Sequence, residues 1–179
     1  SHSKAALPDF ISAQYFHLMR NALRWRWLLP LWFGASPALD SSFLSGDVDP
    51  DTCIPGLTPV SAQRQKNHTW ISPYATSLRL SPLGYHNTQS PIQGIAYNRL
   101  PDFVAALEKA VTTVSPAFSA VGIYQDGHYQ QLNDTYLQIE NEFYGIIRPK
   151  HNLQPKERLL HALKHKGVGY LEIRALDLN

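Results

Sequence analysis

Residues 167–179, GVGYLEIRALDLN, alternate in side-chain character from Tyr170 to Ala175, a period-two pattern that an extended strand lays out on two separate faces. Tyr170, Glu172, Arg174 and Leu176 fall on one face. Leu171, Ile173 and Ala175 fall on the other, which is wholly apolar and requires a hydrophobic layer behind it. The expected strand therefore holds a carboxylate and a guanidinium two residues apart, about 6–7 Å along its polar face. Two readings of that pair stand. A carboxylate is a hard oxygen donor for Mg²⁺, and a guanidinium forks onto phosphate oxygens. The same residues also describe a structural ion pair on an ordinary sheet.

With 179 residues, 44% of them hydrophobic and 17% charged, the chain is long enough for one domain with a real core and too apolar for a disordered one. A net charge of +2 gives no reason to expect nucleic-acid or membrane partners. The single Cys53 excludes an intrachain disulfide framework and fits a reducing compartment, the cytoplasm. In that setting the sequons at Asn67 and Asn133 are incidental. Among the eight histidines, His161 and His165 lie four apart on an expected helix. With no third ligand nearby they do not read as a zinc site. The chain starts without Met and stops directly after its clearest strand, which points to a segment of a longer protein.

Periodicity assigns the rest. Residues 8–29 read as a helix with two apolar stripes. Ile11, Tyr15, Leu18, Ala22, Trp25 and Leu29 form one; Phe16, Met19, Leu23 and Trp27 form the other. Such a helix is expected to be sandwiched between other elements. Pro30 and the arginines at 20, 24 and 26 leave no run of about twenty apolar residues, so no transmembrane span is expected. The Trp/Arg mixture at 24–27 reads as core helix with snorkelling arginines rather than a stacking platform for single-stranded nucleic acid. Gly34 to Pro37 breaks the helix, a short helix is expected from Asp40 to Leu44, and Gly46 to Val60 reads as a loop. Asn98 to Val114 is an expected helix, with Pro101 in its first turn and Phe103, Leu107 and Val111 as its stripe. Ile123 to Leu132 is an expected hairpin turning at Asp126-Gly127. Lys156 to Lys166 is an expected helix capped by Gly167. Tyr136 to Ile147 reads as a further strand with Gln138, Glu140, Glu142 and Tyr144 on one face, followed by Arg148-Pro149-Lys150. Two such polar faces suggest one shared cleft, although a sheet with one wet side has the same pattern.

Four blocks bear a resemblance: LWFGASPA (31–38), YATSLRLSPLGY (74–85), LQIENEFYGIIRPK (137–150) and GYLEIRALDLN (169–179). In this order they resemble the middle of the proteobacterial-type glutamate–cysteine ligases. The resemblance implies an α+β fold, a glutamine-synthetase-like antiparallel β-sheet funnel with flanking helices. Residues 1–179 would form the central part of a single catalytic domain truncated at both ends. The sheet would be incomplete, with long helices on one side and an exposed apolar patch. The implied activity is ATP-dependent ligation of the glutamate γ-carboxylate to the cysteine amine through a γ-glutamyl phosphate, with Mg²⁺ or Mn²⁺ as cofactor.

Carried over onto this chain, the resemblance makes Glu172 a metal ligand and Arg174 the catalytic residue facing the transferring phosphate. Arg79, Tyr85 and Tyr144 would line the cysteine side, and Arg148 and Lys150 would contact nucleotide phosphates. It gives Glu140 and Glu142 no role. The family's remaining metal-binding glutamates and a histidine lie on strands before Ser1, so residues 1–179 alone are expected to be inactive. Two alternatives remain open: a ligase joining glutamate to another amine, and a non-catalytic binding module derived from the enzyme.

Overall fold

A computed structural model describes residues 6–40, 42, 58–59, 69–71, 74–77, 80, 92 and 94–177. The chain divides into two compact units, one comprising residues 1–23 and 87–173, the other residues 24–86 and 174–179.

The first unit is built on helix α1 (Ala6–Arg24). Its two expected stripes are covered unequally: Phe16 and Met19 of the second are buried, beside Ser12, with Leu23 partly so, whereas of the first only Tyr15 and Ala22 are partly covered within α1. Leu7, Phe10, Ile11 and Leu18 remain exposed, so the helix is not sandwiched among the described residues. Its buried face meets α3 (Leu100–Thr112), which supplies Phe103, Val104, Leu107 and Ala110. Phe103 is the hub. Its ring meets Phe16 and Phe143 edge-on at 5.8 Å each, and Tyr97 at 5.5 Å. Helix α5 (Leu159–Lys166) adds Leu159, Leu160 and Leu163 to the same core. It ends as expected at Gly167, whose φ of 80° suits glycine. A Cβ there would also lie 2.6 Å from the Ser12 hydroxyl, which accepts the Val168 N–H at 3.0 Å and ties α1 to the chain beyond α5.

Short elements connect these helices. Helix α4 (Pro116–Val121) leads into the antiparallel hairpin β4 (Tyr124–Gln125) and β5 (His128–Tyr129). The hairpin turns at Asp126 and Gly127, with φ of 51° and 84°, the two positive values a tight right-twisted hairpin needs. Strand β6 (Ile147–Lys150) pairs antiparallel with β7 (Tyr170–Ile173). Ile147 and Leu171 from one face of this ribbon join the core.

The expected strand at 136–147 is absent. Its backbone groups are used elsewhere: Tyr136 N–H donates to Thr113 C=O and Leu137 N–H to Ala110 C=O, at the C-terminal end of α3. Residues 140–142 form a 3₁₀ turn instead. Its Glu142 carboxylate accepts the Gln138 N–H at 2.6 Å. The buried Glu140 carboxylate accepts the Leu159 N–H at 3.1 Å and pairs with Arg158 at 2.7 Å, satisfying an orphan donor and the positive end of α5. Glu140 and Glu142 therefore do not share a polar strand face with Tyr144; both hold local structure. Asn133, read as an incidental sequon, likewise holds this bend by donating to Gln138 C=O at 3.0 Å.

The loop before α5 is held by Glu157. The Gln154 N–H, then Lys166 and His161, lower its carboxyl to about 2. A depressed folded-state value stabilises the fold above the ordinary carboxylate range, and that stability is lost as pH falls through the folded value. Unfolding midpoints are thus expected to fall between pH 4.5 and about 2. Glu157→Gln should flatten that slope by up to one proton; an unchanged slope in urea unfolding would assign it to other carboxylates.

In the second unit, α1 gives way to a turn at Trp25–Trp27 and then to α2 (Leu28–Phe33). One continuous helix from Ala6 to Phe33 would put Pro30 in its interior, with no N–H for the Arg26 carbonyl and a ring that crowds it. Restarting at Leu28 puts Pro30 in a first turn, where no bond is required. Trp25 and Trp27 are more than half exposed, at 55% and 53%, with rings 6.3 Å apart, so they are not core residues. Strands β1 (Ala38–Asp40), β2 (Thr58–Pro59) and β3 (Thr69–Ile71) form an antiparallel sheet ordered β1-β3-β2, with Ile71 opposite Ala38 and Thr58. Asp40 thus lies in a strand; most of the expected 40–44 helix and of the 46–60 loop falls outside the described residues. Gly34 caps α2 where a Cβ would stand 2.4 Å from both Pro30 O and Thr76 O. This close approach lets Ser36 N–H reach Thr76 C=O at 3.3 Å.

No helix among the described residues is long and apolar enough to cross a membrane.

Candidate functional site

The β6–β7 register decides which charges meet. Arg148 stands directly opposite Glu172, and Lys150 opposite Tyr170. In an antiparallel pair such partners share a face, so one carboxylate and two cations lie together. The Glu172 carboxylate is 4.0 Å from Arg148 Nε and 3.8 Å from Lys150 Nζ. Both separations exceed the roughly 2.7–2.9 Å of a charge-assisted hydrogen bond. The Arg148 side chain is only 3% exposed, whereas that of Glu172 is 35% exposed. The buried cation thus stands beside a carboxylate whose Oε2, the oxygen nearer both cations, is itself buried.

Two residues that the sequence did not single out shape this face. Asn141, in the 3₁₀ turn, directs its backbone carbonyl to Arg148 and its side-chain oxygen to Lys150, each at 3.4 Å. Tyr97 lies close to Arg148. Burial pushes its phenol up to about 12, and the guanidinium offsets only part of that rise. A Cβ on Gly145 would stand 2.6 Å from the Tyr97 hydroxyl and 3.4 Å from Arg148 Cγ, so glycine lets both side chains approach the backbone here. The only sequence signal for Asn141 was its place between two glutamates in the 137–150 block. Tyr97 had none.

Of the other expected site residues, Tyr144 follows the 3₁₀ turn and is half-buried, with its hydroxyl buried. Arg174 follows β7 by one residue, is half-buried, and belongs to the second unit. Arg79 and Tyr85 lie outside the described residues. The His161 and His165 rings lie 4.5 Å apart with planes tilted by 45°, and His161 approaches Glu157 at 3.4 Å. Among the described residues no three His, Cys, Asp or Glu side chains gather as a metal cluster.

A sequence model described as glutamate-cysteine ligase matches residues 1–179. The chain belongs to the glutamate–cysteine ligase family. A glutamate–cysteine ligase of Alcanivorax borkumensis is 46% identical over 180 residues, covering 98% of this chain and 32% of the relative. One from Shewanella oneidensis is 43% identical, covering 100% of this chain and 32% of the relative. The crystal structure of the Francisella tularensis glutamate–cysteine ligase in complex with AMP superposes with a TM-score of 0.78 at 36% identity, over 93% of this chain and 31% of that one. The chain spans about a third of the length of its glutamate–cysteine ligase relatives, and its helices and small antiparallel sheets form part of that fold.

Proposed function

We propose that the protein containing this chain is an ATP-dependent ligase that joins the γ-carboxylate of glutamate to the amine of cysteine, the first step of glutathione synthesis. The observation that supports this most is the β6–β7 ribbon: in a chain of this family, it sets one carboxylate and two cations on one face. The relative crystallised with AMP supports an adenine nucleotide as co-substrate. The described parts would belong to a glutamine-synthetase-like funnel within one catalytic domain, and the exposed apolar face of α1 would pack against the rest of it.

A carboxylate is a poor acceptor for an amine. On this reading the glutamate γ-carboxylate oxygen attacks the γ-phosphorus of ATP. The bond from that phosphorus to the bridging oxygen breaks, and ADP leaves. The cysteine amine then adds to the acyl carbon, phosphate departs with the C–O electron pair, and the amine proton passes to solvent. Phosphoryl transfer depends on positioning and charge neutralisation. Arg148 and Lys150 would hold nucleotide phosphates, and Arg174 would face the transferring group.

Glu172 would hold a Mg²⁺ or Mn²⁺ ion. The Glu172 carboxylate is a hard oxygen donor of the kind such an ion takes, and the family's other metal-binding glutamates and histidine, on strands before Ser1, would complete the site. When bound, the ion would neutralise charge developing on the phosphoryl oxygens. Arg79, Tyr85 and Tyr144 would line the cysteine side, with Arg79 on the substrate carboxylate. A reducing compartment such as the cytoplasm would keep cysteine as a thiol. Residues 1–179 alone would not turn over.

The test is phosphate release by the full-length protein with glutamate, ATP and a panel of amino acids as amine. Cysteine is expected to be the best acceptor; another amine being preferred would overturn the assignment, and no release with any amine would favour a binding module. Arg79→Lys keeps a charge but loses two-pronged carboxylate recognition. The KM for cysteine is expected to rise about tenfold, the worth of one charged hydrogen bond, while that for ATP changes little. If ATP binding alone weakened, Arg79 would belong with the phosphates.

A further inference from the structure

We propose that Asp177 is a positioning residue that fixes the segment bearing Arg174 against the segments beginning at Ala35 and ending at Ser77, and so sets the Arg174 guanidinium for phosphoryl transfer. The proposal rests on the role given to Arg174 above.

Two stretches of the second unit, Ala35–Ser36 and Ser77, converge on the carboxylate of a third. Its Oδ2 accepts the Ala35 N–H at 2.8 Å, the Ser36 N–H at 3.1 Å and the Ser36 hydroxyl at 2.8 Å. Its Oδ1 accepts the Ser77 hydroxyl at 2.7 Å. An ionised carboxylate offers about four lone-pair sites and no hydrogen, so this group is matched to four donors. The donors are themselves held in place. Ser36 and Ser77 form a backbone bridge, and Gly34 lies so close to Thr76 that no larger residue fits. Burial favours protonation of Asp177, but the bonds from Ala35, Ser77 and Ser36 outweigh it and hold the carboxyl below its ordinary range.

The position of this junction in the chain gives it a functional reading. Asp177 follows Arg174 by three residues, with Ala175 buried between them at 2% exposure. Ser77 precedes Arg79 by two residues. The segment after β7 therefore leaves its ribbon and is anchored again within one turn's length of Arg174. A segment pinned on one side only would let the Arg174 backbone shift, and near-attack geometry is sensitive to such shifts. The junction also joins three of the four sequence blocks, which is more than a single surface turn requires.

The experiment is a double-mutant cycle in the full-length enzyme using Asp177→Asn and Arg174→Lys, with kcat and KM measured on protein shown to be folded by circular dichroism. Asn keeps the shape and one acceptor oxygen, and the Ser77 hydroxyl can rotate to accept from the new amide. Asp177→Asn alone is expected to lower kcat about tenfold or more with little change in the KM for ATP, the pattern of an interaction made in the transition state. In the Arg174→Lys background the same change should cost less than about threefold, because coupled residues are not additive. Equal factors in both backgrounds, or no effect of Asp177→Asn alone, would overturn the proposal and leave Asp177 as a purely structural tie. If Asp177→Asn does not fold, Ser77→Ala removes one donor and is subject to the same two criteria. Wild-type activity in Arg174→Lys would instead refute the role of Arg174 itself, and the proposal with it. An impaired Arg174→Lys with an independent Asp177→Asn would refute the proposal alone.

Discussion

Replacing Glu172 by Gln in the full-length enzyme is expected to lower ligase turnover about a hundredfold or more, the scale of losing one electrostatic group at a phosphoryl-transfer site. Gln keeps the volume and the strand propensity of the position, so the β6–β7 register, which rests on backbone bonds and on Ile147 and Leu171, should persist. The charge balance changes. Arg148 and Lys150 would share a face without the carboxylate that stands 4.0 and 3.8 Å from them. Because the Arg148 side chain is only 3% exposed, the loss of its opposite charge should also destabilise the protein, by about 1–3 kcal/mol. Turnover must therefore be measured well below the unfolding transition. Raised Mg²⁺ should restore part of the activity, since a lost ligand weakens metal binding rather than abolishing it. A fall of less than about threefold would remove Glu172 from the reaction.

Phe103→Ala should produce the largest loss of stability, about 3–5 kcal/mol. The Phe103 ring touches those of Phe16 on α1, Phe143 after the 3₁₀ turn, and Tyr97. Its removal opens a cavity that none of these can fill without leaving its own place. Hydrogen exchange in the full-length protein should show the amides of α1, α3 and α5 losing protection together by that amount, since one core holds all three helices. Phe103→Leu should lose far less. A loss confined to α3 would mean that the three helices do not share a cooperative core.

Parts of this fold were legible in the sequence wherever local chemistry and tertiary contacts agree. Asp126-Gly127 supplies the two positive φ values of a tight hairpin, Pro101 occupies a first turn that needs no N–H, and Gly167 closes α5. The reading of 136–147 failed because alternation reports faces but not hydrogen-bond partners. Those backbone groups go to the end of α3, and Glu140 goes to the start of α5, which no spacing announces. The break after Arg24 follows from Pro30, whose effect reaches a full turn back. Glu172 was found from alternation and resemblance, but its meeting with Arg148 depends on the register of β6 and β7. Asp177 was read simply as the end of a strand, because its four donors come from residues about 100 to 142 positions away.

The central claim, that Glu172 holds the metal carried with the nucleotide, is tested most directly by Mn²⁺ titration in the presence of ADP. Electron paramagnetic resonance would measure free ion against full-length wild-type protein and Glu172→Gln. The variant is expected to bind Mn²⁺ at least about tenfold more weakly, as loss of a charged ligand requires, while ADP binding without metal stays the same. Equal Mn²⁺ affinity in the two proteins would contradict the account and leave Glu172 as the ion-pair partner of Arg148 and Lys150.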